Sequence, residues 1–292
     1  MENFTVSPYV IFTTTVNGKF SGIHFQESEL ITQIAAQGLH NNDYVLKAEC
    51  NFGKILAPSY EEPVKKKKSN RGRKKKIIIK KPRRIQGNGT CFNSQITFLV
   101  ETLAGRRFNI KVFRPGEFEI HGIPQGIIEE GHEAIETLST YLQKLFGEGV
   151  VVEAFNIIMT NVKFLILPST IKTSEETIEE LYPVLQNHHI NKYIIKLKLL
   201  YDILSILKAA QNENENELFG ISRISYSLEK TRLSLRFRTP LIENPKKLTL
   251  VTIYMSGKVN VLGGKGNDNI AMIHKYIKDV VANNPQIISK LY

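Results

Sequence analysis

NIKVFRPGEFEIHGIPQG, from Asn109 to Gly126, and LVTIYMSGKVNVLGGKG, from Leu250 to Gly266, answer one another. Phe113 matches Tyr254, Gly116 matches Gly257 and Gly122 matches Gly263, each pair 141 residues apart with no gap between. Each copy reads as an alternating strand, a tight turn at glycine, a second alternating strand, another glycine and a helix. Glu117-Phe118-Glu119-Ile120 and Lys258-Val259-Asn260-Val261 carry the period of two that marks a half-buried strand. In the helices, Ala134, Ile135, Leu138, Tyr141, Leu142, Leu145 and Phe146 share one face, as do Ile270, Ile273, Tyr276, Ile277, Val280 and Val281 in the second copy. A compound unit of this kind occurring twice points to duplication.

Working outward, Tyr9 to Asn17 reads as a strand entering a turn at Asn17-Gly18. Val150 to Leu167 opens the second half with similar β-rich chemistry. The expected organisation is a first repeat over 1–148 with a basic insert at about 61–88, and a second over 149–292 with a helical insert at about 168–216. Within that second insert, TSEETIEELYPVL starts from a Thr/Ser cap with acids in its first turn. KYIIKLKLLYDILSILKAA reads as a further helix, and NENENE as a loop. The insert fits either a protein-docking surface or a cap over the second half.

Charge is concentrated. The chain has 292 residues, 39 Lys+Arg and 28 Asp+Glu. KKKKSNRGRKKKIIIKKPRR, residues 65–84, holds 13 of the basic residues and no acid, which leaves 26 basic against 28 acidic elsewhere. A uniformly basic binder is thereby excluded in favour of a near-neutral body with one cationic segment. That segment fits an import signal, a solvated tail, or an arm that neutralises phosphates through counterion release. Its Arg71-Gly72-Arg73, followed by Lys74, resembles the arms that enter narrow A·T minor grooves.

Cys50 and Cys91 are isolated, which fits neither a disulfide framework nor a zinc ribbon. The opening MENFTVSPYV lacks the pattern of a signal peptide, and Lys196, Lys198, Asp202 and Lys208 interrupt the longest apolar stretch. An intracellular protein without membrane attachment is expected. No nucleophile elbow, phosphate loop or metal-spaced Cys/His/acid cluster appears, so neither an enzyme nor a cofactor is expected. Phe113 and Tyr254 directly precede their turns. They read either as core residues or as rings projecting from a sheet.

FRPGEFEIHG and YMSGKVNVLGG, each followed by an amphipathic helix, resemble the TATA-binding protein repeat, whose pattern is Phe-x-Ser-Gly-Lys-(apolar)-x-x-Thr-Gly-Ala. Ser256-Gly257-Lys258-Val259 and Gly263 match it closely; the first copy departs at Arg114-Pro115 and Glu117. GNGTCFNSQITFLVE after a basic run looks like the divergent TATA-binding-like proteins of large DNA viruses. The resemblance covers roughly 8–20, 87–166 and 217–283. It implies an α+β fold of two pseudo-symmetric repeats forming one curved antiparallel sheet, a saddle, with helices on the convex face.

It further implies a transcription factor that binds and bends A/T-rich double-stranded promoter DNA through the minor groove, with aromatic wedges that unstack base steps at a cost offset by the added wrapped surface. Its partners would be a transcription factor B-like protein and a multisubunit RNA polymerase, in a cytoplasmic viral factory or the host nucleus. The second wedge of each pair matches Phe113 and Tyr254; Phe92 and Phe219 are the candidates for the first. Asn161 matches the base-reading Asn of the second half, whereas the first half offers Ile11 or Phe12. Arg114 and Lys258 are the flanking cations. The alternative reading is an interaction protein that keeps the duplicated fold without sequence-specific DNA binding.

Overall fold

The fold is described from a computed structural model covering residues 4–39, 44–63, 95–169, 174, 178, 193–212, 219–227, 229, 231–240 and 248–290. The basic run therefore lies outside the described residues, as do Phe92 and most of NENENE. The strands hydrogen-bond in the order β10-β11-β12-β13-β8-β2-β7-β6-β5-β3-β4, with β1 also on β8: one open antiparallel sheet of twelve strands, as the α+β reading requires.

The elements run β1 (Phe4–Val6), β2 (Val10–Ser21), α1 (Glu27–Gln37), β3 (Val45–Cys50), β4 (Gly53–Leu56), β5 (Gln95–Glu101), β6 (Arg107–Phe113), β7 (Glu117–Pro124) and α2 (Ile128–Phe146). They continue with β8 (Val151–Pro168), β9 (Tyr193–Ile195), α3 (Leu197–Asn212), β10 (Gly220–Ser227), β11 (Arg232–Arg238), β12 (Thr249–Tyr254), β13 (Lys258–Gly264), α4 (Asn267–Asn283) and β14 (Ile288–Lys290). The chain forms two compact units. Unit 1 is 1–16, 122–128 and 156–292; unit 2 is 17–121 and 129–155.

In unit 2 the alternation of β6 decides which face is buried. Phe108, Ile110 and Val112 are buried, while Arg107 and Asn109 are exposed. Ile96, Phe98 and Val100 of β5, and Phe118 and Ile120 of β7, join them in the core. Helix α2 lays Ala134, Ile135, Leu138, Tyr141 and Leu142 into that core, with Tyr141 edge-on to Phe98 at 6.5 Å. Five of the seven helix positions expected from the sequence are thus buried, while Leu145 and Phe146, in the last turn, are only partly covered. Each large apolar side chain buried this way contributes roughly 1.5–3 kcal/mol.

Unit 1 repeats the scheme. Val259 and Val261 of β13, Val251 and Ile253 of β12, and Leu233, Leu235 and Phe237 of β11 pack beneath Ile270, Ile273 and Ile277 of α4. Leu197, Leu200 and Leu204 of α3 join the same cluster. In both units one face of the sheet is therefore packed by α2 or by α3 and α4, and the alternate residues point to the opposite face. In unit 1 that opposite face is itself covered around Leu165 and Leu167 by helical Ile178.

Two local expectations are corrected. The strand does not turn at Asn17-Gly18: β2 continues to Ser21, and the turn follows at Gly22, where φ is +71°. A Cβ at Gly18 would sit 1.9 Å from the Ala154 carbonyl oxygen and 2.3 Å from the Phe118 ring, so this glycine serves close packing. The expected helix from Lys192 begins instead as strand β9, because Tyr193-Ile194-Ile195 pairs with β14 before α3 starts at Leu197.

Candidate nucleic-acid interface

The duplicated turns agree in detail. Gly116 and Gly257 both have φ of +86°, a conformation that glycine adopts without steric cost. Gly116 N–H donates to the Phe113 carbonyl at 2.8 Å, and Gly257 N–H to the Tyr254 carbonyl at 3.0 Å. Each glycine carbonyl then accepts a bond from the neighbouring long strand, from Phe20 N–H in unit 2 and from Ile166 N–H in unit 1, both at 2.8 Å. A Cβ would meet the carbonyl oxygen of Phe20 or Ile166 at 2.4 or 2.6 Å. Backbone rather than side chains fixes these hairpins.

Phe113 and Tyr254 each end the strand before the turn, and both are half-buried. Their strand neighbours Val112 and Ile253 are core residues, so both rings belong to the opposite face of the sheet in their own unit. Gln95 lies across from Phe113, and Arg232 across from Tyr254.

The other expected residues are spread more widely. Arg114 donates through Nη2 to Glu27 Oε2 at 3.2 Å, which ties the hairpin to the first turn of α1. Lys258 is on the same face of unit 1, opposite Leu165, but it is only 5% exposed. Burial, together with the charge of Lys163, pushes its ammonium pKa down. Leu165 packs there with Val10, Leu167 and Ile178, the last coming from the insert. Asn161 is engaged within unit 1: its Nδ2 donates to Thr13 Oγ1 and its Oδ1 accepts from Gly263 N–H, both at 2.9 Å.

Phe219 is not beside Tyr254. Gly220 pairs with Arg238, at the opposite end of β11 from the Arg232–Tyr254 pair. The Phe219 ring stacks near Phe237 and Tyr276, at 5.7 and 6.0 Å, on the helix-packed side. Strand β11 stands to β12 as β5 stands to β6, so the position equivalent to Phe92, three residues before the strand, is Glu229. Phe92, Arg71, Arg73 and Lys74 lie outside the described residues.

The faces opposite the helix-packed cores differ in charge between the two units. Unit 2 is compensated. Arg107 Nε bonds Glu101 Oε2 at 2.7 Å, His121 lies 3.0 Å from Glu119, and Lys47 bonds Glu49 and Glu62. Hydrogen bonds from Lys54 and then Lys47 hold the Glu62 carboxyl down at about 2. Unit 1 places Arg223 of β10 and Arg232, Arg236 and Arg238 of β11 on this face, with serines between them. These arginines were missed as candidates. The signal was present in RLSLRFR, where Arg and Ser alternate with Leu and Phe at period two. Among the described residues no three His, Cys, Asp or Glu side chains group to hold a metal, and no helix is long and apolar enough to cross a membrane.

No family model matches the chain. It is similar to viral proteins named "Putative TATA-binding protein pB263R". In African swine fever virus isolate Tick/Malawi/Lil 20-1/1983 the identity is 26% over 274 residues, 93% of this chain and 88% of the relative. In isolate Tick/South Africa/Pretoriuskop Pr4/1996 it is 27% over 276 residues with the same coverage. Among solved structures, the TBP of Methanococcus jannaschii aligns with 96% of this chain and 99% of its own, at 14% identity and a TM-score of 0.37.

Proposed function

We propose that the protein is a TATA-binding-like transcription factor that grips A/T-rich promoter DNA through the minor groove, bends it, and recruits a transcription factor B-like protein and RNA polymerase. Two repeats, 1–148 and 149–292, share the task inside the infected cell. The observation that carries this reading is the paired placement of Phe113 and Tyr254. Each is half-buried on the face opposite its unit's helix-packed core, immediately before a turn whose glycine has φ of +86°. A ring held by a rigid hairpin loses little freedom when it enters a base step, and the bent duplex offsets the unstacking by wrapping more protein surface. Phe92 is the proposed companion wedge of the first repeat. The viral relatives support the same assignment.

The test is fluorescence-detected bending of A/T-rich and G/C-rich duplexes. Wild type should bend the A/T-rich duplex preferentially, and Phe113→Ala/Tyr254→Ala should lose most of the bend. Equal bending by the double variant would return both rings to a purely structural role. One observation favours the alternative of an interaction protein: Glu49, Glu101, Glu117 and Glu119 all lie on the helix-free face of unit 2. That alternative predicts no preference between the two duplexes.

A further inference from the structure

Resting on the reading above, we propose that the face of β10 and β11 turned away from the α3 and α4 core in unit 1 is a phosphate-binding surface, through which Arg223, Arg232, Arg236 and Arg238 hold the DNA backbone. Arg223 and Arg236 stand directly across from one another. Like charges in that position destabilise a sheet. Among the described residues no carboxylate lies in ion-pair range of any of the four. Arg236 and Arg238 are both exposed and, two residues apart on one face of a strand, stand roughly 7 Å from each other.

The surroundings favour an anion that runs along the strand. Arg238 pairs with Gly220 at the far end of the row. On the same face Ser225 and Ser234 form the pair beyond Arg223 and Arg236; Ser225 Oγ donates to the Ser234 carbonyl at 3.5 Å, which leaves the Ser234 hydroxyl as a donor. Arg232 lies across from Tyr254, so one end of the row reaches the proposed wedge. Planar guanidinium groups match phosphate oxygens in pairs, which lysine cannot do. The corresponding strand of unit 2 carries Gln95, Thr97, Leu99 and Glu101 at the same register, so this surface belongs to one repeat alone.

Each phosphate neutralised on B-DNA contributes about 0.9 to the slope of log affinity against log salt. The full-length chain, with its 65–84 run intact in every variant, is titrated with an A/T-rich duplex at several salt concentrations. Arg223→Gln/Arg236→Gln/Arg238→Gln should flatten the slope by about 2 to 3. The corresponding triple lysine variant should keep the slope but bind more weakly. Lys208→Gln/Lys275→Gln, on α3 and α4, should leave it unchanged.

An unaltered slope in the glutamine variant, with its thermal melt preserved, overturns the proposal. So does a slope lost equally in the lysine variant, which would indicate a structural role. Wild-type binding that displaces from DNA onto an acidic peptide without salt-slope loss in the glutamine variant also overturns it. Bending separates the two readings. Loss of slope with wild type failing to bend DNA leaves the arginine surface standing and removes the wedge; bending with an unaltered slope does the reverse.

Discussion

Ser7 and His274 are 267 positions apart in sequence, yet His274 Nε2 lies 2.7 Å from the Ser7 carbonyl oxygen. The imidazole also packs edge-on against Tyr9 and Phe164. Burial pushes its pKa below the ordinary 6.5, more than the Ser7 bond raises it, and Lys278 lowers it further. The unfolded chain therefore takes up the proton at a higher pH than the folded chain does. Stability from this group is complete above about pH 6.5 and falls as pH drops through the lower folded value. Melting temperatures from pH 8 to pH 5 should fall more steeply for wild type than for His274→Gln, which keeps a donor for Ser7 but does not titrate. Parallel profiles would place the titration elsewhere. Arg114 shows a different restraint at this scale: its ion pair with Glu27 holds a cation expected to face DNA against α1.

Gly18 governs how strand β2 continues. Its missing Cβ leaves room for the Phe118 ring and the Ala154 carbonyl. Gly18→Ala should destabilise the protein by about 1–3 kcal/mol, the usual range for overpacking. Gly149→Ala, with nothing within 4 Å of its added Cβ, should be near neutral. Denaturant unfolding followed by circular dichroism distinguishes them, and equal midpoints would sink the packing argument. This strand also shows why some elements could be read from sequence and others could not. The hairpins at Gly116 and Gly257 announce themselves through local alternation and a glycine spacing that repeats. Asn17-Gly18 carries an equally strong turn signal, but its role is set by residues a hundred or more positions away. Position also decides Phe219: its neighbour Phe237 lies on a strand for which the family motif has no marker, so the ring's side of the sheet emerges only from the pairing of β10 with β11. Lys258 matches the motif letter by letter, but Leu165, opposite it, belongs to a cluster closed by Ile178, which no local pattern reveals.

At the scale of the molecule, unit 1 gathers three distant segments, and its first segment is short. Strand β1 pairs Phe4 with Pro168 and Val6 with Ile166, and Phe4 meets the Tyr193 ring at 5.3 Å. Ser7 exchanges two further bonds with Leu165, both at 2.9 Å. Deleting residues 1–8 should cost about 3 kcal/mol or more, from the burial of Val6 and the lost hydrogen bonds. Hydrogen-exchange mass spectrometry should show protection lost around Leu165 to Pro168 and retained in β5 and β6. Uniform loss across both units would mean that the contribution of this segment is not local.

The same arrangement bears on synthesis. Phe4 and Val6 emerge from the ribosome long before Ile166 and Pro168, and Ser7 waits for His274. At about 5–20 residues per second, that interval is on the order of tens of seconds. Through it, a nascent chain holds an unsatisfied β-edge that only translation of its far end can close, so a prematurely terminated product would keep an adhesive start with nothing to bury it.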